Sequence, residues 1–214
     1  TEIYTLSLHD ALPISPVFTS PSYHKYDVED YYTVDPSFGT NEDLKELIDL
    51  CHERGVLVIL DLPINHTSVN CRWFKNFSNA HLMHNPRNNY YEFYSYIQKD
   101  APNPAGRHFI PLRNTDVLVE ANFSDDMPEL NFDREEVRQA VLDVAKYWLE
   151  MGVDGFRFDA AKYVYYGDHE KSAEFWNWYI DELKKIRNDV YVVAEVWDGD
   201  GITDRYVPAM NCFN

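Results

Sequence analysis

Three short segments decide the fold of this chain: GFRFDAAK at Gly155–Lys162, VVAEVW at Val192–Trp197 and LDLPINH at Leu60–His66. In each of them, an apolar run of the kind that forms a buried strand leads into polar side chains. Each also follows a segment with the residue spacing of an amphipathic helix. Polar chemistry at the ends of successive strands predicts an α/β barrel whose active site lies at the carboxyl face of the strands.

Helix and strand patterns alternate along the chain. Each helix pattern has apolar residues at helical spacing and ends at a turn signal before the next strand pattern. The predicted pairs are helix Thr40–Gly55 with strand Val56–Leu60, helix Asp133–Gly152 with strand Val153–Asp159, and helix Glu170–Arg187 with strand Val190–Glu195. Such repeats predict parallel strands, either in half of a barrel or in an open doubly wound sheet. The absence of a glycine-rich phosphate loop disfavours the doubly wound sheet.

The stretch between His66 and Asp133 is dense in Asn, Tyr, Phe and Pro. An unstructured loop of that length is uncommon in a compact domain. We therefore predict that this stretch forms a small inserted domain beside the active site.

The composition restricts the partners of the chain. A net charge of −17 over 214 residues argues against nucleic acid and against an anionic membrane. Aromatic residues make up 15% of the chain, which favours a sugar-binding cleft because flat rings serve as platforms for sugars. No apolar run is long enough to cross a membrane. The cysteines, Cys51, Cys71 and Cys212, have neither metal-binding spacing nor a disulfide framework.

The first fifteen residues need separate treatment. Thr1–Ser15 read TEIYTLSLHDALPIS, which resembles a translated sequencing adapter. We exclude this segment from the fold prediction as non-native. The alternative is a natural N-terminal strand. Because any signal peptide would lie in this region, the compartment is not predicted from these residues.

Strand alternation places Arg157 and Asp159 on one face of a strand, and Phe156 and Phe158 on the other. The phenyl rings suit the helix layer, so the charged pair is expected in the barrel interior or at its rim. An arginine beside a carboxylate favours its ionised form, which a nucleophile at a sugar carbon requires. The alternative is a structural salt bridge.

Glu195 ends the apolar run VVAEV, so we expect apolar surroundings that suit a general acid. Strand alternation puts Val193 and Trp197 on the same face as Glu195. An isolated glutamate at a strand end is more often a partnered structural residue. Its pairing with Asp159 on the preceding strand favours catalysis, because two converging carboxylates are typical of glycoside hydrolysis.

Asn65 and His66 follow the earliest of the three strands. Asn65 has a side-chain carbonyl oxygen that suits a hard cation such as calcium. His66 is a candidate for binding sugar hydroxyls or a metal, although a lone histidine usually does neither.

Taken together, the segments from about Pro16 to Asn214 resemble the α-amylase family of glycoside hydrolases, family 13. Five motifs in the family's order carry the resemblance, which makes it far more specific than any one of them. They are the loop SPSYHKYDVEDYYTVDPSFGT (Ser20–Thr40), DLPINH (Asp61–His66), MPELN (Met127–Asn131), GFRFDAAK (Gly155–Lys162) and AEVW (Ala194–Trp197).

The resemblance implies a role for each matching residue. Asp159 would be the nucleophile, Glu195 the general acid/base and Arg157 the cation that orients them. The implied substrate-binding residues are His24 and His66 at the cleavage site, Tyr26 stacked beneath the sugar, and Lys162 and Trp197 on the leaving-group side.

The resemblance also implies a structural calcium ion. Its ligands would be Asn65, the backbone carbonyl of Tyr163 and Glu129 in the MPELN segment. Two departures from the family pattern bear on this expectation. Position 163 is Tyr where many relatives have His, and Glu129 stands where Asp is commoner.

The implied fold is a partial (β/α)8 TIM barrel with a small domain B inserted after the third strand. The expected parts are an adapter-like segment at 1–15, the barrel part from the loop after strand two to strand three at 16–66, the domain B-like insertion at 67–132, and the barrel part with strands four and five at 133–214. The family's third catalytic Asp, in a late NHD-like motif, is expected beyond the C-terminus. We therefore expect an incomplete fragment, inactive by itself, from an enzyme of a family that is commonly secreted.

The implied activity is that of a retaining α-glucan hydrolase that cleaves α-1,4 bonds in starch-type substrates. Three alternatives stay open. The nearest is a transglycosylase or a neopullulanase- or cyclomaltodextrinase-like enzyme on the same scaffold. A non-catalytic family 13 relative is disfavoured because a binding role needs none of the candidate catalytic residues. A different barrel enzyme, such as a metal-dependent aldolase, is the most distant alternative.

Overall fold

The computed structural model describes residues 15–213, so residues 1–14 of the predicted adapter-like segment lie outside the described residues. The strands are β1 Phe18–Thr19, β2 Asp30–Val34, β3 Ile59–Leu62, β4 Tyr96–Gln98, β5 Phe109–Pro111, β6 Val117–Glu120, β7 Gly155–Phe158, β8 Tyr191–Glu195 and β9 Asn211–Phe213. The helices are α1 Asn41–His52, α2 Arg72–Leu82, α3 Glu135–Met151, α4 His169–Ile186 and α5 Asp200–Thr203, with a 3₁₀ turn at Ala161–Tyr163.

The central element is a parallel sheet with the strand order β3-β7-β8-β9. Helix α3 leads into β7 and helix α4 leads into β8, which confirms the predicted helix–strand alternation. In the register of this sheet, Asp61 lies opposite Arg157, and Arg157 lies opposite Val193. The carboxyl ends of the parallel strands therefore meet at one edge of the sheet.

The two faces of β7 differ as strand alternation predicts. The ring of Phe158 packs against Trp176 and Tyr179 of α4, at centroid distances of 4.7 and 5.7 Å. Gly155 begins the strand, and a Cβ atom there would lie 1.8 Å from the backbone oxygen of Tyr191. The close approach of β7 and β8 therefore requires glycine at this position.

Local signals set the helix ends. Thr40 caps α1 in a reciprocal capping box with Asp43, and Gly152 ends α3 in the left-handed conformation at φ 117°. The predicted start of α3 at Asp133 is early, because Arg134 is the N-cap residue and the helix begins at Glu135.

Two strand predictions need correction. The strand predicted at Val56–Leu60 is β3, which begins only at Ile59, because Val56 and Leu57 are exposed after the turn that ends α1. Asp61 therefore lies within the strand rather than after it. The region 133–214 also holds a third strand, β9, which pairs in parallel with β8. A strand of three residues is too short to show an alternating pattern.

Residues 67–132 contain helix α2 and an antiparallel sheet with the strand order β4-β6-β5. This segment returns to the parallel sheet through its last residues. The backbone amide of Leu130 donates to the carbonyl of Asn65 at 2.9 Å, and His66 forms an isolated bridge with Glu129. These contacts place the segment against the carboxyl end of β3.

Candidate active site

A single guanidinium group joins the ends of three parallel strands. Arg157 Nη1 donates to both carboxylate oxygens of Asp61 at 2.8 Å and to Asp159 Oδ1 at 2.6 Å. Arg157 Nη2 donates to Glu195 Oε2 at 2.6 Å. We call Asp61, Arg157, Asp159 and Glu195 the strand-end cluster. The structure thus brings the three predicted catalytic residues, Asp159, Glu195 and Arg157, together at the carboxyl edge of the sheet.

The charges in the strand-end cluster do not balance, because three carboxylates share one arginine. Burial raises the pKa of Asp61 to about 7, and the opposing effect of Arg157 does not cancel it. Burial alone would lower the pKa of Arg157, but Asp61 and Asp159 outweigh it and raise that pKa. Arg157 is therefore a permanent cation, and Asp61 keeps its proton to a higher pH than an ordinary aspartate.

The surroundings of Glu195 differ from the sequence prediction. The apolar run VVAEV predicts apolar surroundings, but the carboxylate is ion-paired with Arg157. The reason is the register of β7 and β8, which brings the guanidinium across to the neighbouring strand. Glu195 keeps about a quarter of its side chain exposed, so its carboxyl group is accessible to a ligand.

Tyr26 and His24 lie on the loop between β1 and β2. The hydroxyl of Tyr26 donates to Asp61 Oδ2 at 3.0 Å, and burial followed by the charge of Asp61 raises the Tyr26 pKa. The ring of His24 is stacked with the ring of Tyr26 at a centroid distance of 6.1 Å. The loop therefore carries both predicted substrate-binding residues to the strand-end cluster.

His66 is buried at the end of the segment that follows β3. Neither ring nitrogen makes a hydrogen bond to a residue within 15–213. Burial lowers the pKa of His66 to about 4, despite a smaller opposing effect from the Tyr26 backbone. His66 is thus a neutral, buried imidazole near Tyr26, and its ring nitrogens have no hydrogen-bond partner within the described residues.

Lys162 and Trp197 lie together beyond the ends of β7 and β8. Lys162 Nζ donates to the backbone oxygen of Trp197 at 2.8 Å and to Asp198 Oδ2 at 2.9 Å. Trp197 is 76% exposed, and its backbone has φ 42°. Strand β8 ends at Glu195, so strand alternation does not extend to Trp197. The prediction that Trp197 shares a face with Glu195 by alternation is therefore wrong.

The predicted metal ligands Asn65 and Glu129 are both buried. Asn65 Nδ2 donates to the backbone oxygens of Asp159 and Ala160, whereas Asn65 Oδ1 has no hydrogen-bond partner within the described part of the chain. Glu129 and Tyr163 line a cavity of about 180 Å³. Across residues 15–213, no three His, Cys, Asp or Glu side chains group closely enough to hold a metal alone. A cation here would need amide or backbone oxygens as well.

The comparison with protein families decides the assignment of this geometry. The profile described as the alpha amylase catalytic domain matches residues 6–212, and the match begins inside the adapter-like segment. This chain belongs to the alpha-amylase family. The family's catalytic domain is a (β/α)8 barrel, of which the four parallel strands form a part, as predicted.

Relatives support the assignment to the alpha-amylase family. Alpha-amylase 3 of Dictyoglomus thermophilum is 42% identical over 195 residues, which cover 89% of this chain and 36% of that protein. A cyclomaltodextrinase of a Bacillus species is 33% identical over 94% of this chain and 34% of its own length. The solved structure of Eubacterium rectale Amy13B superposes with a TM-score of 0.85 at 33% identity, over 94% of this chain and 39% of that one. The chain thus spans little more than a third of these relatives.

Two residues of this alpha-amylase family site are missing from the sequence prediction. The sequence prediction assigns no role to Asp61, although it accepts hydrogen bonds from both Arg157 and Tyr26. Glu120, at the end of β6, lies close enough to Glu129 that its charge raises the Glu129 pKa, after the larger effect of burial. We call Glu120 and Glu129 the insertion acid pair. In both cases the available signal in the sequence is an acidic residue directly after an apolar run, VLVIL before Asp61 and VLV before Glu120.

Proposed function

We propose that this chain carries part of the active site of a retaining α-glucan hydrolase that cleaves α-1,4 bonds in starch-type substrates. The carrying observation is that one guanidinium contacts both Asp159 and Glu195 at 2.6 Å. Two carboxylates held at one cation, at the carboxyl edge of a parallel sheet, meet the needs of double displacement at a sugar carbon. The names of the relatives point to the same substrate class.

In the proposed reaction, Asp159 attacks the anomeric carbon while Glu195 gives its proton to the glycosidic oxygen. The bond from the anomeric carbon to that oxygen breaks, and a glycosyl–Asp159 ester forms. Glu195, now a carboxylate, then takes a proton from water, which displaces Asp159 and releases the sugar with its configuration retained. This mechanism requires a separation of about 5–5.5 Å between the two carboxyl groups.

The remaining predicted residues would bind the glucan. Tyr26 and His24 lie on one loop beside the strand-end cluster, and His66 is a buried imidazole whose ring nitrogens have no hydrogen-bond partner within residues 15–213. His66 would bind sugar hydroxyls only if the substrate reaches this buried position. Lys162 and the exposed indole of Trp197 would contact the leaving-group side. A neutral polysaccharide also suits a chain with a net charge of −17, which would repel nucleic acid.

We further propose that calcium stabilises the inserted segment. The buried, unpartnered oxygen of Asn65 and the buried carboxylate of Glu129 fit a hard cation, with the backbone carbonyl of Tyr163 as a further ligand. The role of the ion would be structural. It would hold the segment against the end of β3, next to the backbone of Asp159.

The central test uses the full-length protein that contains this chain. We expect it to hydrolyse maltooligosaccharides with retention of the anomeric configuration. Asp159→Asn and Glu195→Gln should each lower kcat by at least about 10³-fold, with unchanged circular dichroism. Arg134→Gln, at an exposed ion pair with Glu136 at the start of α3, serves as the matched control. An inverted product, or an Asp159→Asn variant with near wild-type kcat, would contradict the proposal.

The 214-residue chain alone should not hydrolyse starch. Its parallel sheet has β3 and β9 as edge strands, whereas the family's barrel is closed by eight strands. Measurable release of reducing sugar from starch by this purified chain would refute this expectation.

A cyclomaltodextrinase-like or transglycosylating activity is the second candidate. Two observations support this second candidate. One relative, 33% identical, is a cyclomaltodextrinase, and the MPELN segment contains a glutamate. The product profiles on starch, pullulan and cyclodextrins separate the candidates. A preference for cyclodextrins, or products longer than the substrate, would replace the starch hydrolase with this alternative.

A further inference from the structure

Lys25 is unusual in two ways. Its side chain is among the buried charged groups, with only 9% of the residue exposed, although lysine is rarely buried without a partner. Its backbone also has φ 66°, in the left-handed region that residues other than glycine seldom adopt. Lys25 stands between His24 and Tyr26, the two candidate substrate-binding residues of this loop. The surrounding structure must therefore hold a strained residue between two functional ones.

A buried ion pair holds Lys25 in place. Its Nζ donates to Asp35 Oδ2 at 2.8 Å and to the backbone oxygen of Ser20 at 3.2 Å. Asp35 Oδ2 also accepts from the backbone amide of Ser20 at 3.1 Å. Burial by itself would raise the pKa of Asp35, but the hydrogen bonds from Lys25 and Ser37 outweigh it and lower that pKa. Asp35 is thus a charged partner for Lys25.

The ion pair closes the loop at its base. Ser20 directly follows β1, and Asp35 directly follows β2, so Lys25 ties the middle of the loop to both strands. One residue further on, the Tyr26 hydroxyl reaches Asp61 of the strand-end cluster. The path from the ion pair to the cluster therefore runs through adjacent residues and named hydrogen bonds.

We propose that Lys25 is a positioning residue. Through its ion pair with Asp35, it fixes the loop so that Tyr26 reaches Asp61 and His24 stacks with Tyr26. Lys25 itself touches no reacting group in this arrangement. The predicted kinetic effect rests on the proposed function. The Lys25–Asp35 ion pair, which we call the clamp, is a property of the loop itself.

A double-mutant cycle in the full-length protein tests the kinetic part. Lys25→Met should raise KM for a maltooligosaccharide roughly tenfold and lower kcat by less than about threefold, because the loop contacts substrate rather than the reacting atoms. Tyr26→Phe should act in the same direction. If Lys25 acts through Tyr26, the double variant should be no worse than about the worse single variant. If the effects of the two substitutions on KM multiply in the double variant, Lys25 does not act through Tyr26 and the proposal is overturned. An unchanged KM with a lower melting temperature in Lys25→Met would show a purely structural role and would also overturn it.

Matched variants complete the test. Lys45→Met removes another Lys–Asp pair, which is exposed on α1, and should leave KM unchanged. If Lys25→Met fails to fold, Asp35→Asn removes the same ion pair with nearly the same shape and should raise KM similarly. A normal KM in folded Asp35→Asn would also overturn the proposal.

A readout without substrate separates this inference from the proposed function. If the wild-type protein hydrolyses no α-glucan, the proposed function fails, and the clamp is then judged by hydrogen exchange. In that experiment Lys25→Met should speed amide exchange at least roughly tenfold in the peptide covering 20–27, and leave α4 unchanged. Unaltered exchange in 20–27 would refute the clamp.

Discussion

Two groups of closely spaced carboxylates in this chain are neutralised differently. In the strand-end cluster, Arg157 contacts all three carboxylates at 2.6–2.8 Å. In the insertion acid pair, Arg107 donates to Glu120 at 3.2 Å, while Glu129 accepts a longer hydrogen bond of 3.3 Å from the backbone of Asn122. Burial raises the pKa of Glu129 well above its usual value, and the charge of Glu120 adds to this. The barrel site therefore contains its own cation, whereas the acid pair is left with an incompletely compensated charge.

The largest expected effect comes from removing the internal cation. Arg157→Gln should lower kcat/KM of the full-length protein roughly 10²–10⁴-fold, because buried Asp61 and the two partly buried carboxylates of Asp159 and Glu195 would lose their common partner. Steady-state kinetics on a maltooligosaccharide measure the change, after circular dichroism shows a folded variant. If Arg157→Gln retains kcat/KM within about threefold of wild type, the strand-end cluster does not depend on its internal cation, and the contrast with the insertion acid pair fails.

The second effect tests whether one arginine suffices for three carboxylates. Asp61 has a pKa of about 7 in the fold and a reference value of 3.8, so the folded state keeps a proton that the unfolded chain has released. Stability should therefore fall as pH rises from about 4 to 7. The Asp61→Asn variant lacks this titrating group. Between about pH 4 and 7 the unfolding free energy of the variant should therefore change by up to about 4 kcal/mol less than that of the wild-type protein. Parallel curves for the two proteins, from denaturant unfolding at several pH values, would contradict this expectation.

The third effect tests the insertion acid pair. If calcium compensates its charge, chelation should lower the melting temperature of the protein by about 10 °C, and added calcium should restore it. Glu129→Gln should melt at a temperature that chelation no longer changes. Magnesium at the same concentration is the control, since its small octahedral shell suits this kind of site poorly. Equal melting curves with chelator and with calcium would exclude a stabilising calcium ion.

The smallest effect is expected for Lys162, which lies at the exposed rim of the candidate active site. Lys162 pairs with Asp198, which is about one-third exposed, so solvent screens this interaction more than those in the strand-end cluster. Lys162→Met should raise KM about threefold with little change in kcat. Lys185→Met, at an exposed pair on α4, is the control and should leave both constants unchanged. A loss of kcat/KM as large as that expected for Arg157→Gln would contradict the expectation that Lys162 matters less than the strand-end cluster.

Local features of the fold were predictable from sequence. The Thr40–Asp43 capping box and the left-handed Gly152 are encoded within one helical turn, so their residues can be recognised directly. The same holds for the opposite faces of β7, because alternation follows from strand geometry alone. Residues that chemistry and motif order singled out, such as Asp159 and Glu195, also lie together as predicted.

Features that depend on distant contacts were not predictable in this way. The role of Asp61 arises from its register with Arg157, which is 96 residues away in the chain. Glu120 meets Glu129 because the chain turns back after β6, so that the backbone amide of Glu129 donates to the carbonyl of Glu120 at 2.9 Å. The chemistry of each residue was visible in the sequence, but the pairing required the tertiary structure.

Gly155 has a consequence for variation in this protein. Since any side chain there would strike the Tyr191 carbonyl, each of the nineteen other amino acids must separate β7 from β8. In a saturation library of the full-length gene selected for growth on starch, codon 155 should tolerate only synonymous changes. Exposed positions such as Lys146 and Glu150 on α3 should accept many replacements, so codon 155 would differ sharply from them in the number of permitted amino acids.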